Sequence, residues 1–294
     1  MKYSFFSFFT KLTLAASAAV SLAGCDDPEL PEAKPDTTAS TLTGRYSLVN
    51  VSPGSGDAQL RSIDNVPVTT PQPVVPYLGT GAYTPVTSGQ RLLLFSTTNN
   101  LNSSLIPARN AFNSNASYTV FLTDAATRAS SATDQGGARS VVLTDNLAAP
   151  SANRARIRFV NLSPSYSAGA DSLGLYTITS PSTTGATAPN RYLFAPIGRS
   201  YRSTTFTVPA VAATATTPGR ASRSLNFANF TDVPAGTYTF QVRRSATAAS
   251  NASQVIIQAT PLTFASGKIY TIYSRGTNAS MSATPLGISV VQHN

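Results

Sequence analysis

One strand-and-turn pattern occurs twice in the sequence, and this repeat restricts the fold more than any other feature. The segment GRYSLVNVSP at residues 44–53 is echoed by ARIRFVNLSP at residues 155–164, at an offset of 111 residues. In both segments large apolar residues alternate before a Ser-Pro pair, which is typical of a β-strand that ends at a turn. The chain is therefore predicted to contain two copies of one structural unit.

A second pair of segments supports the repeat and locates an insertion. NASYTVFLTD at residues 115–124 is echoed by SGKIYTIYSRG at residues 266–276, with Tyr118 aligned to Tyr270 at an offset of 152. This offset exceeds the first by 41 residues, so the second copy is longer than the first. The extra residues are predicted to lie near residues 179–224.

Composition favours strands over helices between these landmarks. Charged residues make up 11% of the chain, against a typical value of about 25%, so long amphipathic helices are poorly supplied. Further strands are predicted at residues 58–63, 90–97, 140–145, 173–179, 236–244, 253–264 and 286–291. The fold class is predicted to be all-β, with two tandem immunoglobulin-like antiparallel β-sandwich domains at residues 44–150 and 151–294. Tyr238, in VPAGTYTF, is predicted to be a structural tyrosine whose hydroxyl caps nearby backbone.

The N-terminal segment has the features of an export signal. Lys2 and Lys11 supply positive charge, and an apolar run of thirteen residues follows at residues 12–24. That run is shorter than the roughly 20 residues needed to cross a bilayer, so residues 1–24 are predicted to be a cleavable signal peptide. The run ends in Leu-Ala-Gly before Cys25, the only cysteine in the chain.

This tetrad resembles the lipobox of bacterial lipoproteins. The resemblance implies that Cys25 becomes the mature N-terminus and carries acyl chains, which anchor the protein in a membrane. Residues 25–43 are acidic and proline-rich, and they are predicted to be a disordered tether. Acidic residues after the cysteine resemble the surface-export signal of Bacteroidetes lipoproteins, whereas in enterobacteria an aspartate there resembles an inner-membrane retention signal. An outer-membrane location facing the cell exterior is predicted, with the periplasmic face as the alternative.

The body of the chain resembles the bacterial family called domain of unknown function 4397. The resemblance is carried by ARIRFVNLSP, VPAGTYTF, ASGKIYTIYSRG and the segment at residues 138–164 that joins the copies. It implies tandem immunoglobulin-like sandwiches on exported or lipid-anchored proteins, and it brings no catalytic residues. The chain departs from the family pattern after Ser-Pro, where Gly-Ser-Gly-Asp replaces the usual Asp-Ala-Pro in the first copy.

Basic residues dominate the body, with 18 basic and 7 acidic side chains from residue 44 onward. Such a surface attracts anionic partners, although a solvated arginine-rich surface has the same composition. Alternating arginines in the second copy share one strand face and, with two arginines of the insertion, form a candidate anion-binding set: Arg154, Arg156, Arg158, Arg199 and Arg202. The alternative is a solvated strand face. No specific nucleic-acid partner is predicted.

The sequence offers few residues for chemistry. The only histidine, His293, is the penultimate residue, and it is predicted to be a bystander with no part in a catalytic triad. Glutamate is absent after position 32, which disfavours the paired carboxylates of glycosidases. One histidine and one lipidated cysteine do not make a common zinc site. No catalytic residue, metal site or cofactor is predicted.

The predicted function follows from these features. The protein is expected to be a non-enzymatic, lipid-anchored envelope protein that presents two sandwiches for ligand binding, adhesion or spacing. Its expected partners are the membrane, through the acyl chains on Cys25, and a glycan or an envelope protein. The alternatives are a carbohydrate-binding accessory of a polysaccharide-uptake system and a hydrolase with an unrecognised site.

Overall fold

A computed structural model describes most of the body of the chain. The described residues are 42–97, 108–125, 127–130, 132, 136–166, 172–181, 191–194, 198–208, 210–214, 216, 218–244, 255–277 and 284–294. The predicted signal peptide and nearly all of the predicted tether, with Cys25, lie outside them. Within these ranges there is no helix that combines the length and the apolar character needed to cross a membrane.

In the part of the first copy that the structure describes there are eight strands. They are β1 (Thr43–Asn50), β2 (Ala58–Ile63), β3 (Val66–Pro67), β4 (Thr84–Thr87), β5 (Gly89–Thr97), β6 (Arg109–Phe112), β7 (Ser117–Thr123) and β8 (Arg139–Asp145).

The described residues of the second copy form eleven strands and one short 3₁₀ helix. The strands are β9 (Arg154–Asn161), β10 (Ser172–Thr179), β11 (Arg191–Tyr192), β12 (Arg199–Ser200), β13 (Thr205–Val208), β14 (Arg223–Asn226), β15 (Thr231–Pro234), β16 (Gly236–Arg244), β17 (Val255–Phe264), β18 (Ile269–Arg275) and β19 (Gly287–Gln292), and the 3₁₀ helix is Pro164–Tyr166.

Each copy is a sandwich of two sheets. In the first copy the strand orders are β4-β1-β7-β8 and β3-β2-β5-β6. In the second they are β15-β9-β18-β19 and β11-β10-β16-β17, with β12 beside β10. The all-β sandwich prediction is confirmed, and each copy contains one parallel pair that was not predicted, β1 with β7 and β9 with β18.

The two copies differ mainly in length between equivalent strands. The offset between equivalent residues is 111 at the first strand and 152 at β18. It is already 147 at β15, where Thr231 pairs with Ile157 as Thr84 pairs with Tyr46. Thus 36 of the 41 extra residues lie between β9 and β15, where the hairpin of β13 and β14 occurs. The other five lie between β16 and Pro261 of β17, because Pro261 is equivalent to Arg109 at the start of β6.

Apolar side chains fill each sandwich. In the first copy Leu48 and Val120 meet Leu60 and Phe95 between the two sheets. In the second, Phe159 and Ile272 occupy the positions equivalent to Leu48 and Val120 and pack against other strands of that copy. Alternate residues of β1, β7, β9 and β18 therefore face the interior of their own sandwich, as a period of two requires.

The other face of the same strands is also buried, because the two copies pack against each other. All seven residues of β7 are buried. A third apolar cluster, which we call the pairing face, joins the two copies and contains four equivalent pairs: Val49 and Val160, Val51 and Leu162, Phe121 and Tyr273, and Leu143 and Val291. Burial on both faces explains why β7 and β18 carry large apolar or aromatic residues on both of their faces.

Equivalent residues of the pairing face meet one another. The rings of Phe121 and Tyr273 lie edge to face, with centroids 5.5 Å apart. An interface that brings a residue against its own equivalent has the arrangement of an isologous dimer, here formed within one chain. Residues 41–294 accordingly form one compact unit.

Candidate functional site

A set of polar side chains lies at one edge of the pairing face. Side chains alternate between the two faces of a strand. Arg158 therefore lies on the same face of β9 as Val160, and Thr271 lies on the same face of β18 as Tyr273. Asp145 ends β8, His293 follows β19, and Tyr83 precedes β4. We call these five residues, together with Thr119 of β7, the polar ring.

A buried ion pair between the copies forms the first half of the polar ring. Nη2 of Arg158 lies 2.6 Å from Oδ1 of Asp145, and the two side chains are 1% and 0% exposed. Oδ2 of Asp145 accepts hydrogen bonds from the hydroxyls of Thr119, at 2.7 Å, and Tyr83, at 2.8 Å. Because both charges are buried, these additional hydrogen bonds are needed to offset their desolvation.

Arg158 is also held by backbone on both sides of the interface. Its Nη1 donates to the carbonyl of Thr144 in the first copy, at 3.0 Å, and to that of Ala228 in the second, at 3.1 Å. Its guanidinium carbon lies 4.3 Å from the centroid of the Phe230 ring, within the range of a cation–π contact. The arginine therefore spans the two copies through several contacts at once.

His293 forms the second half of the polar ring. Its Nε2 lies 2.7 Å from Oγ1 of Thr271, and its Nδ1 lies 3.1 Å from the Tyr83 hydroxyl. Thr271 accepts from Nε of Arg158 at 2.7 Å, so its own proton is directed to Nε2 of His293. Nδ1–H then donates to Tyr83, whose proton goes to Asp145. One proton assignment, with a neutral histidine, satisfies the whole ring.

Burial sets the protonation states within the ring. It is the main cause that lowers the pKa of His293 to about 4; the Asp145 carboxylate opposes this shift, and the charge of Arg158 adds to it. Burial and then the Asp145 carboxylate raise the pKa of Tyr83. Burial lowers the pKa of Arg158, and Asp145 opposes this. At neutral pH the ring thus holds the ion pair of Arg158 and Asp145, and the side chains of His293 and Tyr83 are neutral.

The ring contains the residue types of a proton-transfer chain, but its geometry suits a structural role. Thr271 is fully buried, and its hydroxyl is directed at Arg158 and His293. Only 9% of His293 is exposed. A nucleophile must reach its substrate, and in this arrangement the threonine oxygen faces protein groups. The arrangement fixes two sheets relative to each other.

That His293 takes no part in a catalytic triad stays a prediction, but its side chain is built into the interface between the copies. Its ring is buried between the copies, and its backbone N–H donates to the Ile269 carbonyl at 2.9 Å. The side chain of the neighbouring Asn294 accepts from the Ile269 N–H, also at 2.9 Å. The position of His293 near the end of the sequence was a poor guide to its burial, because β18 forms hydrogen bonds with the residues that follow β19.

Three of the candidate arginines share the predicted strand face of β9. Arg158 belongs to the polar ring. Arg156 pairs with Asp232 at 3.1 Å and donates to the Ala148 carbonyl at 2.9 Å, and Arg154 donates to the Asp232 carbonyl at 2.9 Å. These side chains are engaged by neighbouring protein groups.

The other two candidate arginines lie at the opposite end of β9. Arg199 is buried between the rings of Phe194 and Phe227, 4.7 and 4.3 Å from their centroids, and burial lowers the pKa of Arg199 to about 10. Arg202 lies over the ring of Tyr201. Its backbone N–H bonds to Asn161, at the end of β9 away from Arg154 and about 23 Å along the strand. The structure does not bring the five arginines together, and their ligand-binding role stays a prediction.

The repeated Val-Asn-x-Ser-Pro motif has a structural role that sequence reasoning missed. Oδ1 of Asn50 accepts from the Ser52 N–H, and Oδ1 of Asn161 accepts from the Ser163 N–H. The Ser52 hydroxyl donates to the Asp124 carbonyl, and the Ser163 hydroxyl donates to the equivalent Gly276 carbonyl. In each copy the motif fastens the end of the first strand to the end of its parallel neighbour.

Tyrosines also have the predicted structural roles. The Tyr238 hydroxyl donates to the Pro234 carbonyl four residues upstream, at 2.8 Å, which confirms its predicted backbone cap. The hydroxyls of Tyr118 and Tyr270 accept from the backbone N–H groups of Asn113 and Ala265. Each of these tyrosines is buried.

The fold and the polar ring define an all-β protein in which two sandwiches are joined through equivalent sheets. The family model described as a domain of unknown function (DUF4397) matches residues 45–168. This confirms the predicted resemblance for one copy, and the match extends from β1 through β9 into the second copy's first turn. A tandem second copy of the family stays a prediction. No curated protein matches the chain.

Two solved structures show distant likenesses. The Bacillus anthracis TIE protein is 7% identical, with a TM-score of 0.18, and the match covers 79% of this chain and 33% of that one. A leucine-rich repeat protein from Bacteroides thetaiotaomicron is 10% identical, with a TM-score of 0.19, and the match covers 78% and 26%. Our chain thus spans about a third or less of these proteins, and neither likeness bears on its function.

Proposed function

We propose that this protein is a lipid-anchored, non-enzymatic component of a bacterial cell envelope, whose body is one rigid pair of sandwiches for ligand binding, adhesion or spacing. The observation that carries the proposal is Cys25, the only cysteine, directly after the apolar run and Leu-Ala-Gly. Two or more acyl chains make membrane anchoring stable, because each buried methylene contributes about 0.8 kcal/mol.

The packing of the body supports a spacing or presenting role. The pairing face buries apolar residues from both copies, and Arg158 bonds to both copies. A pair of domains held in this way keeps a fixed relative orientation, unlike two domains joined only by a linker. Loops of the two sandwiches are then presented at fixed positions relative to each other, and the tether sets how far they reach from the anchor.

Relocating the thiol tests the anchor. Cys25→Ser is expected to abolish fatty-acid labelling and release the chain from membranes. A matched control adds Ser40→Cys to that variant, which restores a thiol outside the lipobox and is expected to restore neither property. Continued membrane retention of Cys25→Ser, or labelling at position 40, would contradict the proposal. Protease treatment of intact cells distinguishes the exterior from the periplasmic face.

A second candidate function, carbohydrate binding for a polysaccharide-uptake system, is favoured by an open polar cleft on the first copy. The cleft has a volume of about 540 Å³, and its lining includes Ser88, Gln90, Asn113 and Ser114. Amide and hydroxyl groups of this kind form hydrogen bonds with sugar hydroxyls. Glycan-array binding that is lost in Gln90→Ala/Asn113→Ala, and kept in the nearby control Asn110→Ala, would support this function.

A further inference from the structure

The repeat relates four of the six residues of the polar ring to a position with different chemistry in the other copy. Strand register makes Asp145 and His293 equivalent residues. Each directly follows the residue that pairs with a tyrosine, which is Tyr118 in the first copy and the equivalent Tyr270 in the second. The same registers equate Tyr83 with Phe230, which precede β4 and β15. Ser47 is likewise equivalent to Arg158. Thr119 and Thr271 are identical residues at equivalent positions.

The pairing face, in contrast, is nearly the same in both copies. Val49, Val51, Phe121 and Leu143 of the first copy correspond to Val160, Leu162, Tyr273 and Val291 of the second. Apolar residues of similar size fit equally well in either place. By apolar packing alone, the first copy of one chain could pair with the first copy of another.

We propose that the polar ring determines which faces pair: it selects a first-copy face against a second-copy face and rejects pairing of like copies between two chains. Two first-copy faces would bury two Asp145 carboxylates with no Arg158 to neutralise them. Two second-copy faces would bury two Arg158 guanidinium groups and two His293 rings with no carboxylate. Unpaired buried charges disfavour both arrangements, so specificity comes from penalties on the wrong partner.

The test measures pairing between like copies directly. Since Phe121 meets its equivalent Tyr273 across the interface, residue 121 of two chains becomes adjacent only when two first copies pair. Full chains carrying Cys25→Ser and Phe121→Cys are unfolded, refolded and treated with a short bismaleimide. The cross-linked dimer then reports the forbidden pairing.

Two variants are compared in that background. Asp145→Asn/Arg158→Met removes both members of the buried pair, so no charge is left uncompensated. It is expected to increase the cross-linked dimer at least about tenfold, which corresponds to the loss of 1.4 kcal/mol of discrimination or more. The matched control Arg91→Met/Asp64→Asn makes the same changes in an ion pair that lies within the first copy, and it is expected to behave like the parent.

Several results would overturn the proposal. One is a folded Asp145→Asn/Arg158→Met chain that cross-links no more than its parent. Another is loss of folding in this variant, which would make the ion pair a requirement for folding and not for partner choice. Sedimentation of the same variants without Phe121→Cys provides a second measurement, in which only the ring variant should form a concentration-dependent dimer.

Discussion

The two copies have one fold and one apolar pairing face, but they carry different polar residues at the edge of that face. The first copy places Asp145 and Tyr83 where the second places His293 and Phe230, and Arg158 occupies the position of Ser47. Apolar contacts explain that the copies associate. The difference in polar residues explains why their association has one register and one partner.

The largest effect should come from substitutions at the equivalent positions 158 and 47. Arg158→Ala leaves the Asp145 carboxylate buried without its cation, and it should lower the free energy of unfolding by about 3–5 kcal/mol. Ser47→Ala removes one hydrogen bond, from its hydroxyl to the Gly81 carbonyl, and should cost about 1 kcal/mol. Urea unfolding measures both. Equal losses of unfolding free energy for the two substitutions would contradict the difference that we propose between the copies.

Acid should weaken the ring through His293, whose partners are Thr271, Tyr83, Asp145 and Arg158. The fold lowers the pKa of His293 from 6.5 to about 4, so its contribution is complete above pH 6.5 and is lost as the pH falls towards 4. The loss is about 3 kcal/mol.

His293→Gln is the matched control for this pH dependence. The variant lacks only the imidazole and keeps every other titrating group, so the stability difference between parent and variant should shrink from pH 6.5 to pH 4. A difference that stays constant over this interval would show that the histidine is already charged or exposed in the folded chain.

The repeated asparagines should behave alike despite the asymmetry of the ring. Asn50→Ala and Asn161→Ala each leave buried backbone groups without a partner, and each should cost about 1–3 kcal/mol. Chemical unfolding of the two single variants tests whether the Val-Asn-x-Ser-Pro motif serves one purpose. A cost confined to one copy would show that the motif has diverged.

The smallest effect is expected outside the ring. Arg156 and Asp232 form an ion pair with side chains 17% and 38% exposed, and such pairs contribute about 0–1 kcal/mol. Asp232→Asn should therefore shift the urea midpoint much less than Asp145→Asn. Similar shifts for the two substitutions would indicate that solvent reaches the polar ring.

Sequence periodicity predicted much of the fold. Residues 58–63 and 236–244 were predicted as strands and are strands with those bounds, because turn residues flank short apolar runs. Short strands such as β4 and β15 were missed, since four residues give too little periodicity to recognise. The parallel pairs were also missed, because a strand pattern does not specify its neighbour.

The polar ring was beyond sequence reasoning for a related reason. Alternation places Arg154, Arg156 and Arg158 on one face of β9, which the structure confirms, but it does not say whether that face meets water or another sheet. Buried polar residues look like surface residues until the opposite sheet is known. One signal was present: Thr119 and Thr271 repeat at equivalent positions, and each is flanked on both sides by large apolar or aromatic residues of its strand.

A double-mutant cycle on Asp145 and Arg158 tests most directly whether the copies are joined through the polar ring. Asp145→Asn, Arg158→Met and the double variant are unfolded in urea, and the interaction energy is taken from the four free energies. We predict a favourable coupling of about 2–3 kcal/mol, so that the double variant loses clearly less stability than the sum of the two single losses. A coupling near zero, with additive losses, would contradict a buried ion pair between the two copies.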